Sequence, residues 1–273
     1  MKMFEGGSNA QRHSNHPFPL FHHHLETECE DNWTWNLEKN CCNVYLKGPE
    51  RRTVEFHPNW SMGSAGVRGT KPLTQGKHYW EIHVNEKVYG TSIMFGIGTE
   101  KTKLHADRYV NLLGENNQSW GLSNRGFLWH DGKFCKYTEP FRSGTPVTMG
   151  ILFDGINGTL NYYKDGVNLG IAFSDLKKIK EPIYPIVCSS ASKTEITLGS
   201  TKKAFNSLQD HCRASILKSV IKEEHINDLD LPKTLQQFVL KGGSWKTKEH
   251  LWINPYIPRT LTYSFISNNQ IDI

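Results

Sequence analysis

The pattern of apolar and polar positions changes twice along the chain. Up to about residue 30 it has no period: the segment is polar and rich in His, Asn and Gly, which predicts a solvated, disordered tail over residues 1–30. From Trp33 to about Ser200, short segments alternate apolar and polar residues or are rich in aromatic and β-branched ones. Examples are "NVYLKG", "TVEFH", "HYWEIHV", "SIMFGIGT", "SWGLS", "FLWHDG", "VTMGILFD", "IYPIVCS" and "TEITLGS". Turn signals separate them, among them "HPNW", "TQGK", "HDGK", "FDGINGT" and "KDGV". "GTLNYYKDGVNLGIAF" reads as a hairpin with Asp165-Gly166 as its two-residue turn. Strands at this spacing, with no long amphipathic helix between them, predict an antiparallel β-sandwich.

Near Lys203 the period becomes helical. In "AFNSLQDHCRASILKSVIKEE", Phe205, Leu208, Cys212, Ile216 and Val220 fall on one face, with Asn206 or Ser207 placed to cap. "PKTLQQFVL" follows, with Pro232 suited to a first helical turn and Leu235, Phe238 and Val239 forming an apolar side. The expected fold is therefore mainly β: a sandwich followed by a small C-terminal helical unit. From Lys241 onward Trp245, Trp252 and Tyr256 are aromatic anchors beside two prolines, and residues 242–273 form an extension with no assigned fold.

Composition narrows the function classes. A length of 273 residues suits one large domain with a small appendage. The net charge of +5 is spread along the chain. "DLKKIKE" and "STKKAF" lack the aromatic interleaving of a nucleic-acid platform, so no nucleic-acid partner is expected. No apolar run approaches the roughly 18–20 residues of a membrane span, and "MKMFEGGSNAQRHSNH" lacks a signal-peptide core. An intracellular protein without membrane partners is the expectation. The six cysteines form no CxxC pair and are read as reduced thiols. His22, His23, His24 and Cys29 are possible metal ligands, but no second spaced pair completes a site, so no metal or cofactor is expected.

Catalytic signatures do not occur: there is no GxSxG, no HExxH and no phosphate loop, and "GIGTEK" carries only a GxG. Asp154, Asp165 and Asp175 sit in turn contexts, where Asp hydrogen-bonds locally. What remains is recognition by loops. Trp80 and Trp120, flanked by strand residues, read as core. Trp60, beside Pro58, Asn59 and Ser61, suits a loop contact and core packing equally.

Several stretches carry a family resemblance. "VRGTKPLTQGKHYWEIHV", "MFGIGT", "YVNLLGENNQSWGLS", "FDGINGTLNYYKDGVNLGIAF" and "YPIVCS" together resemble the SPRY domain, a bent β-sandwich used for protein recognition. "SLQDHCRASI" resembles the elongin-binding box that opens a SOCS box, and "INDLDLPKTLQQFVL" resembles its cullin box. The whole resembles the SPRY domain-containing SOCS box protein family, and "FHPNWSMGSAGVRGTKPL", "VYGT" and "SWGLS" lean to its third subtype. The resemblance implies a SPRY (B30.2-like) domain over 31–202 and a SOCS box over 203–241, with the elongin-binding box about 206–217 and the cullin box about 226–240. It implies a non-catalytic substrate-recognition subunit of a ubiquitin ligase. Elongin C, with elongin B, would be held through Ser207, Leu208, Cys212 and Ile216. Cullin-5 with its RING-box partner would be held through Leu229, Leu231 and Pro232; Asp230 stands where the cullin-box core has its first proline. A protein substrate would bind by a short linear motif at His57, Asn59, Trp60, Ser61, Tyr109, Ser190, Ala191 and Ser192. Relatives that bind Asn-rich peptides carry Val-Trp-Gly where this chain has Ser190, Ala191 and Ser192, so their peptide preference is not carried over. Two alternatives stay open: an adaptor whose helical tail packs on its own sandwich without assembling a ligase, and an enzyme or metal protein using the His-rich tail.

Overall fold

The structure is a computed structural model, described for residues 28–36, 43–85, 92–141, 144–204, 208–220 and 223–240. In chain order its strands are β1 Glu28–Glu30, β2 Trp35–Asn36, β3 Val44–Lys47, β4 Thr53–Phe56, β5 Ser64–Gly69, β6 Lys77–Val84, β7 Ile93–Thr99 and β8 His105–Ala106. There follow β9 Ser119–Ser123, β10 Phe127–His130, β11 Lys133–Lys136, β12 Val147–Asp154, β13 Thr159–Lys164, β14 Val167–Phe173, β15 Ile183–Ser189 and β16 Thr194–Ala204. Helix α1 is Leu208–Ser219 and helix α2 is Lys233–Leu240.

The strands form two antiparallel sheets. One runs β14-β13-β12-β6-β16-β4-β3 with β1 paired to β16, and the other runs β11-β10-β9-β7-β15-β5-β2 with β8 paired to β5. Alternation decides which faces meet. Trp80, Ile82 and Val84 of β6 and Met149, Ile151 and Phe153 of β12 point into one core with Phe95, Ile97 and Leu122 of the opposing sheet. Each such side chain contributes roughly 1.5–3 kcal/mol on burial. Tyr162 on β13 crosses that core, and its hydroxyl donates to the Phe95 carbonyl of the other sheet at 2.9 Å, which satisfies the polar end of a fully buried ring. The β13–β14 hairpin turns at Asp165-Gly166, both at positive φ (49° and 81°), as a two-residue turn of this hand requires.

A second apolar cluster lies outside the main core. Leu104, Leu112 and Leu113, from the long connection between β7 and β9, pack with Met94, Ile186 and Cys188. This packing fixes the connection that carries Tyr109. Two elements depart from the sequence expectation. Glu28–Glu30, at the end of the stretch read as a tail, is a strand, because β16 runs on past its bulge and offers Lys202–Ala204 as partners. Ser64–Gly69, whose small residues give no alternation, is a buried strand between β15 and β2.

Candidate functional site

Three connections meet at one end of the sandwich. As β4 ends, His57 takes a left-handed conformation (φ 49°) and turns the chain inward. Its backbone N–H donates to the Asn43 carbonyl at 2.7 Å, and its own carbonyl accepts the Lys193 N–H at 3.1 Å. Its ring is fully buried, with Nε2 3.1 Å from the Ser189 carbonyl, so Nε2 carries the proton and Nδ1 a bare lone pair. Among the described residues that lone pair meets no donor. Desolvation holds the imidazole below its ordinary pKa, outweighing the Ser189 bond that favours protonation. His57 therefore pins the start of the β4–β5 loop to the β15–β16 connection as a neutral group.

The loop then swings out. Trp60 is 83% exposed and Met62 79%. Between them Ser61 Oγ donates to the Ser190 carbonyl, and the Tyr109 hydroxyl donates to the Ser61 carbonyl. Gly63 returns the chain to β5 so closely that a Cβ there would overlap the Ala106 carbonyl oxygen. Ser190 exchanges bonds with Ser92: the Ser190 N–H donates to the Ser92 carbonyl and the Ser92 N–H to Ser190 Oγ, both at 2.9 Å. The Ala191 N–H donates to Ser189 Oγ at 3.0 Å.

The eight substrate-binding candidates thus divide. His57, Ser190 and Ala191 turn their side chains inside and hold the loops in place. Asn59, Trp60 and Ser192 are exposed, Ser61 is half-buried, and Tyr109 is 57% exposed. Two residues escaped the sequence reading. Met62 adjoins the loop tryptophan, and that adjacency was the available signal. Asn111, which accepts the Ser92 hydroxyl at 2.6 Å, has no sequence signal. The end of the sandwich presents aromatic and thioether faces, while most of its hydroxyls and amides bond to one another.

The helical unit presents a second surface. Leu208, Cys212 and Ile216 follow one another at four-residue intervals along α1. Leu208 is 79% exposed, Cys212 is exposed and Ile216 half-buried; Ser207 lies outside the described residues. The Pro232 carbonyl accepts the Leu235 and Gln236 N–H groups at 2.8 and 3.0 Å, so Pro232 precedes α2 at its first turn. Gln236 Nε2 reaches back to the Leu229 carbonyl at 3.1 Å. The Arg213 guanidinium lies 4.5 Å over the Phe238 ring and joins α1 to α2. Ile226 and Val239 are buried, Leu229 and Leu231 half-buried, and Asp230 and Pro232 exposed. Leu235, placed by its spacing on an apolar side, is at the surface.

Nucleophiles elsewhere are muted. Burial pushes the Cys135 and Cys188 thiols up to about 12. Among the described residues no group of three or more His, Cys, Asp or Glu gathers as a metal site would need, and His22, His23 and His24 lie outside them. No described helix is long and apolar enough to cross a membrane.

Comparison with known proteins identifies two regions of the chain. The SPRY domain model matches residues 77–201 and the SOCS box model residues 206–240. SPRY domain-containing SOCS box protein 3 of Xenopus laevis is 34% identical over 234 residues, covering 81% of this chain and 64% of that protein. Protein gustavus of Drosophila melanogaster is 33% identical over 223 residues, covering 76% of this chain and 78% of its own. The chain belongs to the SPRY domain-containing SOCS box protein family. Human SPRY domain-containing SOCS box protein 1 is 30% identical over 220 residues, covering 76% of this chain and 80% of that protein. The chain spans just under two thirds of its Xenopus laevis relative. In this family member α1 and α2 both fall inside the SOCS box match. The loop bearing Trp60 precedes the SPRY match and is drawn to Tyr109 and Ser190 by the bonds described above.

Proposed function

We propose that this protein is a substrate-recognition subunit of an elongin B/C–cullin–RING ubiquitin ligase and performs no chemistry itself. The observation that carries the reading is the exposure of Leu208 at the head of a helix lying within the SOCS box match. A helix folded onto its own sandwich would bury that side chain; one kept for a partner's groove leaves it outside. Burying Leu208 contributes roughly 1.5–3 kcal/mol, and Cys212, one turn on, is small enough for close helix approach. Elongin C takes the Leu208–Cys212–Ile216 edge, and cullin-5 with its RING-box partner meets the Leu229–Leu231–Pro232 segment. The loops bearing Trp60, Met62 and Tyr109 hold a short segment of the substrate, and Asn59, Ser61 and Ser192 lie at their margin. Ubiquitin transfer then follows from proximity, because tethering raises the effective concentration of substrate lysines near the charged conjugating enzyme.

The test is co-purification from cells of the wild-type chain against a Leu208→Ala, Cys212→Ala double variant. Loss of elongins B and C with an unchanged melting transition supports the reading. Recovery of elongins at the wild-type level overturns it and leaves a sandwich adaptor that assembles no ligase.

A further inference from the structure

At the loop end of the sandwich, Tyr109, Ser61, Ser190, Ser92 and Asn111 close a ring of hydrogen bonds. The Tyr109 hydroxyl donates to the Ser61 carbonyl, and Ser61 Oγ donates to the Ser190 carbonyl. Ser190 and Ser92 exchange bonds at 2.9 Å, and Ser92 Oγ donates to Asn111 Oδ1 at 2.6 Å. Asn111 returns to Tyr109 through the backbone of Val110. Val110 and Leu112 pack into the second apolar cluster, and Tyr109 and Asn111, which alternate with them, reach the neighbouring connections instead.

The ring is saturated in acceptors but not in donors. Its carbonyls are taken: Ser61 accepts from Tyr109, Ser190 from Ser61, Ser92 from Ser190, and Val110 from Ser64 Oγ at 2.8 Å. The 2.6 Å between Ser92 Oγ and Asn111 is shorter than the range of about 2.7–3.2 Å for N–H···O and within that of O–H···O, so the carboxamide turns its oxygen to Ser92. Its Nδ2 group points away from Ser92 and meets no acceptor among the described residues. Asn111 is half-buried, and its Nδ2 is open to solvent rather than enclosed.

Further donors stand beside the ring. Trp60 Nε1 is next to Ser61, and the Lys193 ammonium is three residues beyond Ser190; both side chains are exposed, and neither is bonded among the described residues. The segments that meet here, 57–63, 105–111 and 189–193, hold one carboxylate, Asp107, which lies 2.9 Å from His105 Nε2. A ligand carboxylate, which only accepts, matches this arrangement. A carboxamide would bring N–H donors to carbonyls already in use.

We propose that Asn111 is a specificity-determining residue that offers the substrate a fixed N–H donor, and that the segment recognised here places an Asp or Glu carboxylate on it, with a neighbouring apolar side chain against Trp60 and Met62. This rests on the substrate-binding part of the ligase reading; the elongin-binding helix does not enter it. A phage-displayed library of random linear peptides, panned on the full chain, tests it. The wild type is expected to select an acidic residue at one fixed position next to an apolar one. Asn111→Asp keeps an oxygen that accepts from Ser92 and replaces the donor by an anionic acceptor, and is expected to select Lys or Arg at that position. Asn111→Leu, similar in shape and uncharged, is expected to lose the acidic preference and to bind a selected acidic peptide about tenfold more weakly. A change of loop rigidity alone would lower the recovery of every peptide and leave the preferred residue the same. Selection of Asn or Gln at that position by the wild type overturns the proposal, as does selection of no fixed residue, or an acidic preference kept by both variants. If Asn111→Asp does not fold, Asn111→Leu judges the proposal by itself. Failure of the wild type to recover elongins would sink the ligase reading, while the peptide selection would still judge Asn111.

Discussion

The Tyr109 hydroxyl donates to the Ser61 carbonyl and so ties the connection ahead of β9 to the loop that carries Trp60 and Met62. The bond crosses between two loops whose tips are exposed, and its Tyr109 end is more than half exposed. Tyr109→Phe keeps the ring and removes the bond. A hydrogen bond contributes about 0.5–1.5 kcal/mol net, and solvent access puts this one at the low end. The expected result is a melting temperature close to the wild type with faster amide exchange confined to residues 59–63. Uniform exchange throughout the sandwich would show that the bond does not hold the loop.

His57 supplies a pH dependence with a definite sign. Its folded-state pKa is lowered below the ordinary value near 6.5, chiefly by desolvation. On acidification the unfolded chain therefore takes up the proton first. The contribution of neutral His57 is complete above about pH 6.5 and is lost as pH falls below it toward the folded pKa. His130 shifts in the same direction for the same reason, so the wild type alone cannot separate them. Comparison with His57→Asn can, because Asn tolerates the left-handed backbone. Urea midpoints at pH 7.5 and 5.5 are expected to differ less in His57→Asn than in the wild type. Equal differences would remove His57 from the account.

The legible and illegible parts of this molecule have physical causes. β6 and β12 announce themselves because alternate residues, Trp80, Ile82 and Val84 and Met149, Ile151 and Phe153, are apolar and enter the core. β5 does not: Gly66 packs within 3.3 Å of Leu104 and Cys188 at the position of an added Cβ, and Gly69 within 3.1 Å of the Trp33 ring. A strand squeezed on both faces selects small residues and loses its alternation. The substrate candidates show the same limit. That His57 lies inside while Trp60 lies outside depends on one left-handed residue and on a bond from Ser61 to Ser190, 129 positions away. On α1 the stripe itself was legible, but a period states that a face is apolar and not what covers it.

Leu208 and Ile226 should respond oppositely to truncation. Both are aliphatic residues of the helical unit, yet Leu208 is largely exposed and Ile226 fully buried. Leu208→Ala is expected to change unfolding free energy by no more than about 0.5 kcal/mol while abolishing elongin recovery. Ile226→Ala is expected to cost about 2–5 kcal/mol, as buried aliphatic truncations do. Chemical denaturation of the two variants checks this. A Leu208→Ala loss as large as that of Ile226→Ala would mean that Leu208 packs within the chain.

Asp230 stands where the resemblance to a cullin box leads one to expect a proline, and on the proposed ligase reading it offers a gain-of-affinity test. It is exposed, it lies between half-buried Leu229 and Leu231, and its φ is not positive. The neighbouring bonds, from the Leu231 N–H and Gln236 Nε2 to the Leu229 carbonyl, do not use its side chain. Asp230→Pro would fix a negative φ compatible with the tight turn that the Leu231 N–H closes onto the Leu229 carbonyl, and would remove an anionic group from the proposed cullin contact. Restricting the unfolded and unbound segment in this way is worth about 0.4–1 kcal/mol, or roughly a twofold to fivefold gain in affinity for the cullin. Calorimetry of the elongin-loaded chain with the N-terminal part of cullin-5 checks it, with elongin recovery as the control that the helical unit is intact. Unchanged or weakened cullin binding with elongins retained would mean that Asp230 is not what separates this chain from the family's cullin contact.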